Sequence, residues 1–183
     1  FTANTSGKFN AGGSGGTVSA DGSAITIGGT TLSFSSKPNE LNVGLNPGES
    51  SNVTLGLFTA TSSALTSMNG ASFTLNVTFT LPSDVSPKPA TFNATLTGTI
   101  SATASGASVK WSTTSLDFTS ATGGAFTLTL ESSTPINAPS SPDASRIRGT
   151  ITAAAAVPEP LTLLTLGSGL AGLAAMRKRR KKN

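Results

Sequence analysis

The chain has 183 residues, enough for one domain with a hydrophobic core, and only 11% of them are charged. It contains no Cys and no His, which excludes disulfides, thiolate chemistry, zinc sites of the Cys/His type and catalysis built on imidazole. Residues 1–156 carry six Lys or Arg against seven acids, so this part is nearly neutral and a nucleic acid is not expected as its partner.

The first half of the chain is typical of strands joined by tight turns. Ser and Thr make up 56 of the 183 residues, and β-branched Thr fits a pleated sheet better than a helix. Residues 1–9 predict an edge strand, and a Gly-rich turn follows at 10–17. Residues 24–28 and 30–34 alternate apolar and polar side chains around the Gly28-Gly29 pair, which predicts a hairpin.

The clearest strand pattern covers residues 72–81, where every second side chain is apolar. Its predicted inner face is formed by Phe73, Leu75, Val77, Phe79 and Leu81. Proline-rich loops are predicted at 82–89 and 134–142. The remaining predicted strands are 41–45, 52–58, 90–100, 108–111, 115–119, 125–131 and 146–153.

Strands with one apolar face imply antiparallel sheets that have one face on a core and one face in water. We therefore predict an all-β body over residues 1–153, with antiparallel sheets packed as a β-sandwich or in a jelly-roll-like arrangement. A linker is predicted at 154–160, because Pro158 restricts the backbone of the residue before it.

The C-terminal tail has three parts in a fixed order. The linker ends in the motif Val157, Pro158, Glu159 and Pro160. An uncharged apolar run covers 161–176, with side chains that include Leu161, Leu163, Leu164, Leu166, Leu170, Leu173 and Met176. The basic end, 177–183, contains Arg177, Lys178, Arg179, Arg180, Lys181 and Lys182.

The physical character of this tail predicts a transmembrane helix. Sixteen helical residues span about 24 Å, and long Arg and Lys side chains extend that reach toward the bilayer surface. A cluster of basic residues stays on the cytoplasmic side of a membrane, so the body would lie outside.

The order Pro158-Glu159-Pro160, apolar run and basic end resembles the PEP-CTERM sorting signal of Gram-negative bacteria. The resemblance covers residues 157–182 only. It implies secretion, processing near the motif by an exosortase, and an association with exopolysaccharide and biofilm. The body is similar to the Thr-rich β-domains that carry such tails, and no named family is assigned to it.

The resemblance and the tail together predict where the protein resides. We expect an exported precursor anchored in the inner membrane, and then a protein of the cell surface or extracellular matrix. The tail implies export, so we expect a signal peptide that has been removed; none is visible in the chain, which begins at Phe1 rather than Met.

Candidate sites in the body are few, and no catalytic residue, metal site or cofactor is predicted. The acidic residues are scattered, and several are expected to support turns. Trp111, the single Trp, is interpreted as a core residue, with a sugar-stacking platform as the alternative. The GxGxxG pattern at 167–172 lies in the apolar run without a strand or a following acid, so a dinucleotide site is rejected.

Three functions are left open by these observations. The first is a non-enzymatic structural or adhesive protein of the surface, which includes self-assembly into a filament through an edge strand. The second is a carbohydrate-binding module for exopolysaccharide. The third and most distant is an enzyme such as a glycosidase, which would require two carboxylates facing each other across a cleft.

Overall fold

The computed structural model describes residues 1–36 and 43–155, and in these two segments the chain forms fourteen β-strands and no helix. The strands are β1 (Thr2–Asn10), β2 (Thr17–Val18), β3 (Ala24–Ile27), β4 (Thr30–Ser35), β5 (Ser50–Ser62), β6 (Thr66–Ser67), β7 (Ser72–Leu81), β8 (Ala90–Thr97), β9 (Thr99–Ile100), β10 (Ser108–Trp111), β11 (Ser115–Ser120), β12 (Gly124–Leu130), β13 (Ser133–Pro135) and β14 (Ser145–Ala153).

The strands form two main antiparallel sheets and one small one. The smaller main sheet has the order β1-β7-β8-β10-β13, and the larger has the order β11-β12-β14-β5-β4-β3-β2. Strands β6 and β9 pair separately. The prediction of an all-β body with antiparallel sheets is confirmed. The position of β1 at an edge of its sheet agrees with the predicted edge strand.

The inner faces of the two main sheets pack on one another through aromatic rings. Phe73 on β7 lies with its ring centroid 4.9 Å from that of Phe58 on β5 and 5.2 Å from that of Phe34 on β4. Phe79 on β7 lies 5.0 Å from both Phe118 on β11 and Phe126 on β12. The apolar alternation of the strands therefore becomes a single core between two sheets, as in a β-sandwich.

Two glycines make room for these rings. Gly7 faces the core from β1, where a Cβ would overlap the Phe73 ring and would lie 2.7 Å from Phe34 Cδ1. Gly56 in β5 has a φ of 156°, and a Cβ there would overlap the Phe34 ring. Both strands thus come closer to the aromatic cluster than any other residue type would allow.

Several predicted elements need correction. Residues 43–45 of the predicted strand 41–45 are not in a strand, whereas 41 and 42 lie outside the described residues. Leu81 was expected in the core but is 62% exposed. The loop predicted at 134–142 begins inside a short strand, β13. The strand predicted at 90–100 is broken at Gly98, which has a φ of 88° and lies against the Gly106 carbonyl oxygen.

The transmembrane helix predicted for 161–176 lies outside the described residues. Among the residues that are described, no helix is long and apolar enough to cross a membrane. The jelly-roll variant of the sheet arrangement also stays a prediction.

One buried hydroxyl gives a stability prediction. Thr5 on β1 is 9% exposed, and its Oγ1 has no hydrogen-bond partner in the described part of the chain. A buried polar group without a partner destabilises the folded state, so we expect Thr5→Val to increase the free energy of unfolding by about 1 kcal/mol. Equilibrium urea unfolding, followed by the fluorescence of Trp111, measures this change.

The matched control is a threonine whose hydroxyl is used. Thr134 is also buried, at 1% exposure, but its Oγ1 accepts a hydrogen bond of 3.2 Å from Trp111 Nε1. Thr134→Val leaves that indole N–H unpaired, and we expect it to lower the free energy of unfolding by about 1–3 kcal/mol. Equal losses from both substitutions would contradict the assignment of Thr5 as an unpartnered group.

Candidate functional site: an arginine groove on the larger sheet

The outer face of the larger sheet carries the only two arginines among the described residues, and both lie on β14. Side chains alternate along this strand, so that Ile147 and Ile151 are buried while Arg146 and Arg148 are exposed. Since β14 lies between β12 and β5, the two guanidinium groups occupy the middle of the sheet. The strand order thus puts both charges on one central surface.

Two adjoining depressions lie around the arginines, and both are lined by Glu131, Arg146 and Arg148. The first has a volume of about 460 Å³ and is otherwise lined by Asn52, Val53, Thr54, Thr129, Leu130, Gly149 and Thr150. The second has a volume of about 500 Å³ and is otherwise lined by Pro135, Asn137, Pro142, Asp143, Ala144 and Ser145. We call the two depressions together the arginine groove.

A β-bulge lies beside the groove. Ile147 pairs with Gly56 of β5, but Arg148 pairs with Thr54, so Leu55 is the extra residue in β5. A bulge increases the local twist of a sheet and changes the direction of neighbouring side chains, and bulges are frequent next to binding sites. The shift falls between Ile147 and Arg148, so the bulge lies within the stretch of β5 that pairs with the two arginines.

Hydrogen bonds hold the polar walls of the groove in place. Thr150 Oγ1 donates to Asn52 Oδ1 at 3.0 Å, which joins β14 to β5 on the outer face. Asn137 Nδ2 donates to the carbonyl oxygen of Asp143 at 3.0 Å, and its backbone N–H donates to Ser145 Oγ at 2.7 Å. The second depression is therefore built from a loop that is fixed to the start of β14.

The chemistry of the groove suits a hydroxyl-rich, acidic ligand. A guanidinium group binds a carboxylate or sulfate through two parallel hydrogen bonds. Thr, Asn and carboxylate side chains can exchange hydrogen bonds with sugar hydroxyls. Glu131 and Asp143 line the second depression, so the surface offers both donors and acceptors and is not uniformly positive.

Three carboxylates outside the arginine groove stabilise turns and loops by accepting hydrogen bonds. The Ser19 hydroxyl and then the Ser23 backbone N–H and hydroxyl lower the pKa of Asp21 to about 2. Hydrogen bonds from the Ser120 and Thr122 hydroxyls, together with backbone N–H groups, lower the pKa of Asp84 to about 2. The backbone N–H of Asn46 is the main cause of a lowered pKa for Glu49. These acids stay ionised and fix loops.

Trp111 lies in the core. It is 7% exposed, its ring is 6.1 Å from that of Phe73, and its Nε1 donates to Thr134. The alternative interpretation of Trp111 as an exposed sugar platform is therefore wrong, because a stacking platform must be open to solvent. Within residues 1–36 and 43–155, no group of three or more His, Cys, Asp or Glu is placed to hold a metal ion.

Edge strand β1 is partly covered at its ends. Its inner neighbour is β7, while Phe1 and Val43 exchange backbone hydrogen bonds and the Phe9 N–H donates to the Gly22 carbonyl oxygen. Self-association through this edge stays a prediction.

The predicted sorting residues lie outside the described residues: Val157, Pro158, Glu159 and Pro160, the apolar run 161–176 and the basic end 177–183. The structure does describe the start of the linker, where Ala154 N donates to the Ala125 carbonyl oxygen at 2.8 Å.

Comparison of the chain with protein-family models, with curated proteins and with solved structures finds no match. The resemblance of the tail to a sorting signal therefore depends on the motif itself.

Proposed function

We propose that this protein is an exported, non-enzymatic component of the bacterial cell surface or extracellular matrix that is sorted by its C-terminal tail. The observation that carries the proposal is the order of Pro-Glu-Pro, uncharged run and basic end over residues 158–182. In this proposal the tail first anchors a precursor in the inner membrane, with the β-body outside, and an exosortase then acts near the motif.

The physical chemistry of each part supports this order of events. Pro158 and Pro160 cannot continue a helix, so they keep the backbone beside the membrane extended for a processing enzyme. Six consecutive cationic residues resist transfer across the bilayer and fix the orientation of the span. An all-β body without Cys folds outside the cell with no need for disulfide formation.

The test is the mass of the mature protein from native cells. Intact-mass spectrometry of the surface fraction is expected to show a C-terminus upstream of residue 177, without the basic end. A surface protein that still ends at Asn183 would contradict processing.

The arginine groove favours a second candidate function, the binding of an acidic polysaccharide. It combines two exposed guanidinium groups with hydroxyl, amide and carboxylate side chains along adjoining depressions of about 460 and 500 Å³. An extended depression with repeated polar groups fits a chain of sugar residues better than a compact ligand. The single Trp of the described body is buried. In this proposal the polysaccharide is therefore bound mainly by guanidinium and hydroxyl groups and not by stacking on a Trp ring.

We expect the double variant Arg146→Gln/Arg148→Gln to lose most of its binding to the acidic exopolysaccharide of the native host, because each charge-assisted pair contributes about 1.5–3 kcal/mol. Affinity electrophoresis through a gel that contains the polysaccharide measures this loss. The matched control is Lys110→Gln, which removes an exposed charge from β10 of the other sheet.

Equal retardation of the parent and the double variant would contradict a binding role for the groove. A reducing-sugar assay on the same mixtures checks the non-enzymatic part of the proposal, because release of new reducing ends would indicate a glycosidase.

A further inference from the structure

The last strand of the body, β14, ends at one end of the sandwich, and the C-terminal tail follows it in the chain. Strand β14 ends at Ala153, whose partner across the sheet is Phe126 of β12. The Gly48 N–H donates to the Ala153 carbonyl oxygen at 3.1 Å, so the loop before β5 also lies at this end. We call this the exit end.

An apolar patch lies at the exit end. The ring of Phe1 packs 4.4 Å from that of Phe126, and Phe1 exchanges backbone hydrogen bonds with Val43. An open depression of about 410 Å³ at this place is lined mainly by Phe1, Val43, Leu45, Leu81 and Pro82. We call these five residues the exit patch. Leu81 is 62% exposed, although it ends the most apolar strand of the smaller sheet.

The short segment between the body and the apolar run limits how far the exit patch can lie from the proposed membrane span. Only five residues, 156–160, separate Ala155 from the first residue of the apolar run, Leu161. Even fully extended, the path from Ala155 to Leu161 covers at most roughly 20 Å. A compact body of this size has a radius of gyration of about 15 Å, so the tether is shorter than the body is wide.

We propose that the exit patch rests on the outer surface of the lipid bilayer while the tail spans the membrane. This inference depends on the proposed membrane-anchored precursor. The short tether brings the exit end to the bilayer, and the patch presents apolar side chains to it. Burial of the exposed apolar area in the interface stabilises this orientation. The bilayer covers the patch until processing releases the body.

The charges near the patch are compatible with this contact. Glu49 and Asp84, the acids at this end, are already engaged by hydrogen bonds from Asn46 and from residues 120–122. They can stay at the level of the lipid headgroups without losing their partners. The carboxylates do not favour an anionic surface, so the expected partner is a bilayer of zwitterionic lipids.

The chain itself supplies a matched control, because the only other large exposed apolar side chain among the described residues is Leu65, at 76% exposure. Leu65 follows the end of β5, whereas Ser50 at the start of β5 lies beside Thr152 near the exit end. Thirteen strand residues separate these two ends by on the order of 40 Å. Leu65 is therefore expected at the end remote from the membrane.

The experiment uses the absence of native Cys. Full-length Leu81→Cys and Leu65→Cys proteins, each labelled with one thiol-reactive fluorophore, are reconstituted in phosphatidylcholine vesicles with the body outside. A fraction of the lipid carries a quenching nitroxide near the headgroup. The loss of fluorescence at position 81 is expected to be several-fold larger than at position 65.

Each outcome has a distinct meaning. Equal quenching at both positions, with the protein still floating with the vesicles, would overturn the inference and leave the membrane anchor intact. Protein that fails to float with the vesicles would overturn the anchor, and the membrane contact of the patch with it. Strong quenching at position 81 with little at position 65, in protein that floats with the vesicles, supports the inference.

Discussion

Replacement of Pro158, Glu159 and Pro160 together by alanine is expected to leave the C-terminal tail uncut in the native host. Alanine restores helix propensity and a backbone N–H at both proline positions, so the proposed transmembrane helix would extend through the motif. The substitutions also remove the one acidic side chain of the tail. The precursor would then accumulate in the inner membrane with its basic end still attached.

The measurement is the intact mass of the membrane and surface fractions. A matched control changes three polar residues of the apolar run, Thr162, Thr165 and Ser168, to alanine, which preserves both the motif and the span. We expect this control protein to be processed like the parent. If the motif variant reached the surface with the same C-terminus as the parent, recognition of Pro-Glu-Pro would be excluded.

The second large effect is expected in the body. Phe73 is 1% exposed, and its ring lies within 5.2 Å of those of Phe9, Phe34 and Phe58. Phe73→Ala removes one of the rings that pack between the two sheets, and the loss of a buried Phe lowers the free energy of unfolding by about 3–5 kcal/mol. That is a large part of the total stability of a domain, about 5–15 kcal/mol.

Equilibrium urea unfolding measures this effect, with Leu65→Ala as the control. Leu65 is exposed, so its truncation is expected to change the free energy of unfolding by no more than about 0.5 kcal/mol. Similar values for the two variants would mean that the aromatic cluster does not hold the sheets together.

Alternation in the sequence predicts the bounds of β7 and β10, whereas β5 extends over Ser50–Ser62, beyond the predicted 52–58. Residues 72–81 and 108–111 form strands with the predicted bounds, because each second side chain is buried and the flanking residues favour turns. Leu81 was misplaced because alternation continues to the last residue of β7, whereas the core ends before it. The two-residue strands β2 and β6 are too short to show any period.

The break at Gly98 has a signal in the sequence, which is the glycine itself. A glycine in a strand pattern often marks a bend, and this one has the positive φ that only glycine adopts readily. Gly7 also lies in a strand pattern, but the reason for this glycine is the ring of Phe73 from a neighbouring strand. Close approach between strands distant in sequence cannot be inferred from one strand alone.

The two candidate sites also differ in how much of each can be predicted from the sequence. The tail is a contiguous motif, so its residues could be named from the sequence. The first depression of the arginine groove joins β5, β12 and β14, and its parts lie around residues 52–54, 129–131 and 146–150. Only the strand order brings these segments together. The alternation of Arg146 and Arg148 around Ile147 was the one available signal, because it predicts that both charges share a face.

The most direct test of the central claim is the topology of the tail in cells that lack the processing enzyme. Because the chain has no native Cys, single cysteines at Lys110 in the body and at Asn183 report separately to a membrane-impermeant maleimide. In intact spheroplasts, we expect label at position 110 and none at 183 until the cells are lysed. Label at 183 before lysis, or no label at 110 until lysis, would contradict a body outside the cell that is held by a membrane-spanning tail.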